Sequence, residues 1–163
     1  MNNLSFHITD ITANSIRANA SEIGLSVEEQ DARIVIRITD NGSGMDAETA
    51  RRVTNPFYTT RTTRKVGLGL PFLIQNAEQT GGSVTLTSEP GKGTEVRAVF
   101  HSDHIDCPPW GDLPGTVALL ITGNPEINVC FEYRSGETGY SISTNEIKEI
   151  LDGVPLSLSL IHI

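Results

Sequence analysis

The chain has 163 residues, 37% of them apolar with 15 glycines besides, the make-up of a globular chain of about one domain, which excludes disorder and leaves no room for two independent enzymatic domains. Net charge is −8, from 20 acidic and 12 basic residues, which argues against general affinity for nucleic acid, because phosphate binding needs a basic surface. The longest apolar run, Val117 to Ile121, is far short of the ~20 residues a membrane helix requires, and no leader-like series opens the chain, so a cytoplasmic protein without a membrane partner is expected.

Leu4, Ile8, Ile11 and Ile16 recur at helical spacing and predict a helix over the first twenty residues. Ile23, Leu25 and Val27, then Ile34, Ile36 and Ile38, alternate with polar residues around a polar turn, the pattern of a β-hairpin. Asp40-Asn41-Gly42-Ser43-Gly44 is a turn by composition, and Asp46 is a suitable N-cap for a short helix over 48–53. Residues 55–66 lack apolar periodicity and read as a loop; with the preceding short helix they concentrate five of the twelve basic residues between Arg51 and Lys65, a place to hold an anion on an acidic protein. Gly67 and Gly69 precede a helix with Pro71 in its first turn, ended by Gly81-Gly82, and a second hairpin turns at residues 90–93. Pro108 to Gly115 read as a linker after residue 103; strands are expected at 116–122, 127–133 and 138–143, a short helix at 145–151, and an edge strand or dimer contact from the alternating Leu156, Leu158 and Leu160.

Four segments carry candidate chemistry. Asp10 and Asn14 stand one turn apart on one helix face, where a carboxylate and an amide oxygen can hold Mg²⁺ or orient a water, although such a pair taken alone is more often two solvent-facing neighbours. Asp40 at a strand end can accept a hydrogen bond from an exocyclic amine, beside glycines that admit a flat ligand. Gly67-Leu68-Gly69 at a helix start offers free backbone N–H groups to phosphate, with Arg61, Arg64 and Lys65 placed to close over it. Gly91-Lys92-Gly93-Thr94 reads as a hairpin turn whose Thr94 hydroxyl supports Asp40 from the neighbouring strand.

In this order the segments resemble the ATP-binding fold of the GHKL superfamily, which unites gyrase, histidine kinases and MutL. The Asp10–Asn14 helix resembles the N box, DNGSG the first glycine box, NPFYTTR the F-box region, GLGL the second glycine box and GKGT the closing segment, over residues 5–100. PFYTTR followed by GLGLPFLIQNAEQTGG is most similar to the catalytic domain of sensor histidine kinases. The resemblance implies a two-layer α/β sandwich of the Bergerat type, with a mixed, mainly antiparallel sheet and helices on one face. With the Pro- and Gly-rich stretch after it, the chain is expected to divide into an ATP-binding domain at 1–103, a linker at 104–115 and a C-terminal α/β extension at 116–163 that packs on the domain. It implies ATP and Mg²⁺ as cofactors, the metal on Asn14, adenine on Asp40 with Gly42 and Gly44 shaping the wall, and phosphates near Gly67 and Gly69. Thr94 would help hold adenine, and Asp10 takes the acidic position where Glu is usual.

Nothing in the sequence resembles a phosphoacceptor hairpin, so the expected activity is that of an ATPase or phosphotransferase acting in trans on a partner protein. The alternatives are a nucleotide-gated interaction module and a Ser/Thr kinase of the anti-sigma type. His7, beside the expected site, reads as structural. His101, His104 and Cys107 are ligand types suited to Zn²⁺ but lack the fourth member of the usual quartet. Trp110 reads as an anchor for the linker, and Cys107 and Cys130 as free thiols.

Overall fold

A computed structural model of the protein describes residues 3–54 and 69–151. The first helix, α1 (Leu4–Arg17), is capped by Asn3, whose side-chain oxygen accepts from Phe6 N at 2.7 Å, and it buries Leu4, Ile8 and Ile11. The hairpin follows as β1 (Glu22–Gln30) and β2 (Arg33–Asp40), turning through Asp31 and Ala32 at φ of 53° and 59°. Next come α2 (Ala47–Thr54), which Asp46 caps by accepting from Thr49 N at 2.7 Å, and α3 (Gly69–Gln79). The second hairpin is β3 (Ser83–Glu89) and β4 (Gly93–His101), and the rest of the chain forms α4 (Leu113–Gly123), β5 (Asn128–Ser135), β6 (Thr138–Ser143) and α5 (Thr144–Leu151).

The described strands form one sheet in the order β3-β4-β2-β1-β5-β6, antiparallel throughout except where β5 runs parallel to β1. With the five helices this is the expected mixed α/β sandwich. Strand alternation sends Ile23, Leu25 and Val27 of β1, Ile34, Ile36 and Ile38 of β2, and Val96, Ala98 and Phe100 of β4 to one face, where α1, α3 and α4 bury them. The same alternation continues past the core: Asp40 follows Ile38, Thr94 precedes Val96, and the two residues face each other across the β2–β4 ladder. A carboxylate and a hydroxyl therefore stand on the helix-facing side where the hydrophobic rows end.

Residues 116–122, expected as a strand, lie within helix α4. A short apolar run with β-branched residues fits either element; Asp112, accepting from Gly115 N at 3.0 Å, and Pro114 in the first turn settle it as a helix. The crossover through α4 carries the chain from β4 to β5 beside β1, the kind of connection a parallel pair requires. Residues 108–111 serve α1 directly. Leu4 N and Ser5 N donate to the carbonyls of Pro109 and Trp110 at 2.8 and 3.0 Å, and Ser5 Oγ donates to Trp110 O at 2.6 Å, so the linker satisfies donors that the first turn of a helix leaves open. Trp110 packs half-buried against the core, as its anchoring role required.

Val117, Leu120 and Ile121 of α4, Val129 and Phe131 of β5, and Ile127 just before β5 are all buried in this core. Burial of each such side chain is worth about 1.5–3 kcal/mol, against a total stability of about 5–15 kcal/mol for a typical domain. A chain ended after residue 103 is therefore expected to lose cooperative unfolding and precipitate or unfold at 25 °C. Thermal melts followed by circular dichroism check this; a sharp two-state melt of the shortened chain is the contrary result.

Candidate functional site

Beside the Asp40–Thr94 pair the helix layer opens into a cleft of about 160 Å³. Its walls are mainly apolar, from Ile11, Ile38, Met45, Val53, Leu70 and Val96, and its polar side chains come from Asn14, Ser15, Arg17, Asp40, Ser43 and Thr94. A cleft lined mainly by aliphatic side chains and bearing a carboxylate suits an apolar heterocycle with an amino group.

The Asp40 carboxylate is held from two sides. Ser15 Oγ donates to Oδ2 at 2.6 Å, and Gly42 N donates to Oδ1 at 2.9 Å. Each carboxylate oxygen keeps a further lone pair for a ligand donor. The loop after Asp40 is fastened to its surroundings. Ser43 N donates to Ala18 O at 2.9 Å, Gly91 N to Ser43 O at 2.7 Å, and Met45 N to Ser88 Oγ at 2.8 Å. Asn41 bridges to the start of β1, its Oδ1 accepting from Ser21 N and Glu22 N, both at 2.9 Å. Gly44 is required here: at φ +70° a Cβ would lie 1.9 Å from Glu89 O.

The expected site residues divide accordingly. Asn14, Asp40, Gly44 and Thr94 line the cleft. Gly42 is buried against Ala18 and contributes its N–H to Asp40 in place of a wall surface. Thr94 stands opposite Asp40 in register, but its hydroxyl is bonded to Ser88 Oγ at 2.8 Å. Gly69 sits where a Cβ would meet Asp10 Cβ at 2.7 Å, so its lack of a side chain lets α3 start directly against α1. Arg61, Arg64, Lys65 and Gly67, with the loop at 55–66 and the alternating leucines near the C-terminus, lie outside the described residues.

Two residues of the cleft were not singled out from the sequence. Ser15 is buried and orients Asp40; an inward helix position next to Asn14 was the available signal. Arg17, in the last turn of α1, lines the cleft and donates from Nη2 to Asn14 Oδ1 at 2.5 Å. Its i, i+3 spacing from Asn14 was the signal there. Burial raises the Asp10 pKa above the ordinary carboxylate value, and the Arg17 charge opposes that rise. A carboxyl shifted this way is closer to the range a general base needs.

The oxygen donors suit a hard cation. Asn14 offers an amide oxygen to the cleft and Asp10 a carboxylate one turn away, few enough to leave room for the phosphate and water ligands that Mg²⁺ retains. His101, His104 and Cys107 do not form such a set: among the described residues no three His, Cys, Asp or Glu side chains converge, and His104 Nδ1 accepts from Asp106 N at 3.0 Å.

His7 is 1% exposed on the buried side of α1, in contact with the Phe72 and Phe100 rings. Asn76 of α3 approaches its Nε2 at 2.7 Å, and Nδ1 has no hydrogen-bond partner among the described residues. Burial lowers its pKa from 6.5 to about 4, so the ring is neutral at physiological pH and ties α3 to α1.

Comparison with known proteins places this geometry. Residues 3–104 match the family described as histidine kinase-, DNA gyrase B- and HSP90-like ATPase. A putative sensor protein of Shewanella frigidimarina is 40% identical over 67 residues, covering 40% of this chain and 10% of that protein. Sensor histidine kinase YxdK of Bacillus subtilis is 29% identical over 104 residues, covering 60% of this chain and 32% of the kinase. The chain thus spans a third or less of the length of these relatives. Among solved structures, the ATPase domain of Aquifex aeolicus MutL complexed with ADP superposes with a TM-score of 0.56 at 14% identity, over 93% of this chain and 69% of that one. The N-terminal domain of a DNA repair protein superposes with a TM-score of 0.61 at 16% identity, over 86% and 51%. At these identities the structural likeness shows the fold.

The His7 shift makes stability depend on pH with a definite sign. Between about pH 4 and 6.5 the unfolded chain binds a proton at His7 that the folded chain does not, so stability rises with pH across this window and is lost as pH falls through it. The expected loss from this residue is on the order of 2–3 kcal/mol by pH 4. In His7→Gln that part of the slope disappears, which urea titrations at pH 4.5 and 7 on both proteins measure.

Proposed function

The chain belongs to the histidine kinase-, DNA gyrase B- and HSP90-like ATPase family, and we propose that its cleft binds Mg·ATP and that it acts as a kinase or ATPase module on a partner protein. The observation that carries this reading is the Asp40 carboxylate, fixed by Ser15 and Gly42 at the end of an apolar slot. There it accepts the amino group of adenine while Ile38, Met45 and Val96 pack on the ring faces. Thr94, bonded to Ser88, stands beside it to carry a bridging water. The triphosphate then runs along α1 toward Asn14 and the start of α3.

Asn14 is the residue that holds the metal through its amide oxygen, with Asp10 one turn away to orient the attacking group or water. Mg²⁺ held there would supply positive charge that offsets the charge of the phosphates. Gly67, Arg61, Arg64 and Lys65 are proposed for the phosphate end, by their match to the second glycine box and the basic segment before it. A phosphoacceptor outside the described residues is part of this proposal. The described residues hold no pair of long antiparallel helices bearing a histidine, and His7 is enclosed in the core. A cytoplasmic setting suits the free thiols Cys107 and Cys130.

One observation favours the second reading, a nucleotide-gated interaction module or an anti-sigma type of Ser/Thr kinase with little turnover. Asp10 is one methylene shorter than the usual Glu, and its Cβ is packed against Gly69, which restrains its reach toward the cleft. Turnover is the quantity that separates the two, since both need the same nucleotide contacts.

Calorimetric titration with ATP, with and without Mg²⁺, tests the site. Wild type is expected to bind. Asp40→Ala is expected to lose at least about 100-fold in affinity, because a hydrogen bond to a charged group and a buried partner are lost together, and Asn14→Ala is expected to lose the Mg²⁺ dependence with only a small change in metal-free affinity. Undiminished binding by Asp40→Ala is the result that sinks the adenine assignment.

A further inference from the structure

We infer that His7 and Asn76 form a latch that a proton releases: with the ring neutral α3 is held against α1, and with the ring charged α3 opens as a unit while the sheet stays folded. The inference stands apart from the nucleotide reading above. In the neutral ring Nε2 accepts from Asn76 Nδ2 at 2.7 Å, and Nδ1 has no partner among the described residues. A charged imidazole is a donor at both nitrogens. Its Nε2–H would face the amide donor of Asn76, which must turn over to offer Oδ1, and its Nδ1–H would meet no acceptor. Burial of a charge in that condition is strongly unfavourable, so the charged ring and the closed joint exclude each other. A void of about 10 Å³ bordering the ring does not relieve this, because its other walls are aliphatic, Ile11, Ile36, Leu73 and Ala98 among them, and a buried water needs two to four polar partners.

Among the described residues no titratable side chain faces the ring. Asp10, three residues on in α1, lies against Gly69, Glu78 of α3 is exposed, and α4 carries no charged residue. On the strands, Asp40 is taken up by Ser15, while Arg37, Glu95, Arg97 and His101 alternate with the core residues and stand on the other side of the sheet. Burial alone therefore lowers the His7 pKa from 6.5 to about 4. The two helices are anchored differently. The first turn of α1 is held by the carbonyls of Pro109 and Trp110, and its last turns by Ser15 on Asp40 and by Ser43 N on Ala18 O. The tie of α3 to the sheet is at its C-terminal end, where Thr80 Oγ1 accepts from His101 N at 3.1 Å and Gly82 N donates to Ala77 O at 3.0 Å. Release of the latch thus lets α3 pivot about residues 80–82 with α1 and the sheet in place. Exposure of Leu70, Leu73 and Ala77, buried in the closed joint, is the cost that keeps α3 shut while the ring is neutral. Leu70 also lines the cleft, so opening removes that part of its wall.

Hydrogen exchange of the backbone amides of residues 73–79, followed on the full chain at pH 5 and pH 7 and expressed as protection factors so that the intrinsic pH dependence of exchange drops out, is the test. At pH 7 the α3 amides are expected to be at least about tenfold less protected than those of β1 and β2, because opening one helix leaves the central strands paired. From pH 7 to pH 5 their protection is expected to fall about 20-fold, the effect of one group whose pKa is 6.5 in the open state and about 4 in the closed one. In His7→Gln, which has no ring to charge, α3 protection is expected to change by less than about threefold over the same range. Equal protection of α3 and the central strands in wild type overturns the inference, since His7 then meets the proton only on global unfolding; this outcome needs no variant. A fall in α3 protection that persists undiminished in His7→Gln overturns it too, by assigning the proton to another group.

Discussion

The hydrogen bond from Ser15 Oγ to Asp40 Oδ2, 2.6 Å long, is the joint between the helix layer and the sheet on which the cleft depends. It lies where the apolar contact between α1 and β2 ends, with Ile11 and Ile38 buried on one side and the open slot on the other. Asp40 brings a charge to that boundary, and a partly enclosed carboxylate needs fixed donors. Ser15 from the helix and Gly42 from the following loop supply them. The loop is then drawn back along α1, where Ser43 N meets Ala18 O, and the β3–β4 turn closes onto the loop through Gly91 and Ser88. One carboxylate thereby sets the relative positions of three segments far apart in sequence.

The same helix is the reference for everything else. Its first turn is capped by Asn3 and by the carbonyls of Pro109 and Trp110, its buried face carries His7 to Asn76, and Asp10 meets the first residue of α3. The C-terminal third of the chain contributes to this arrangement by pairing β5 with β1 and by laying α4 alongside α1. A change at residue 109 or 110 is therefore transmitted to the cleft through the seating of α1, at a distance from any ligand contact.

Much of this was legible in the sequence because it follows from periodicity and from glycine. The alternation of Ile34, Ile36 and Ile38 predicts both the strand and, continued by two residues, the face on which Asp40 stands. Glycines spaced as in DNGSG and GLGL mark places where backbones approach, although the structure shows Gly42 and Gly69 meeting other parts of the protein and leaves the cleft lining to side chains. What was not legible depends on contacts between distant segments. Thr116 to Thr122 is apolar and β-branched enough to pass for a strand, and only its cap at Asp112 and its place over β5 make it a helix. Ser15 and Arg17 carry no motif; their roles arise from what α1 is pressed against. The parallel pairing of β5 with β1 left no local trace in either strand.

Charge explains how an acidic protein suits an anionic ligand. The net charge of −8 is a property of the whole surface, and at physiological ionic strength its field decays over about 8 Å. Within the cleft the balance is local: Asp40 sits at the end proposed for the adenine, with Arg17 and Asn14 on the helix that borders the phosphate path. Separating the two signs along the slot orients a ligand that is neutral at one end and anionic at the other, and it disfavours the reversed pose, which would bring phosphate against Asp40. On the proposed nucleotide reading, orientation of the ligand comes from the separation of Asp40 and Arg17, which the docking of α1 on β2 sets through Ser15.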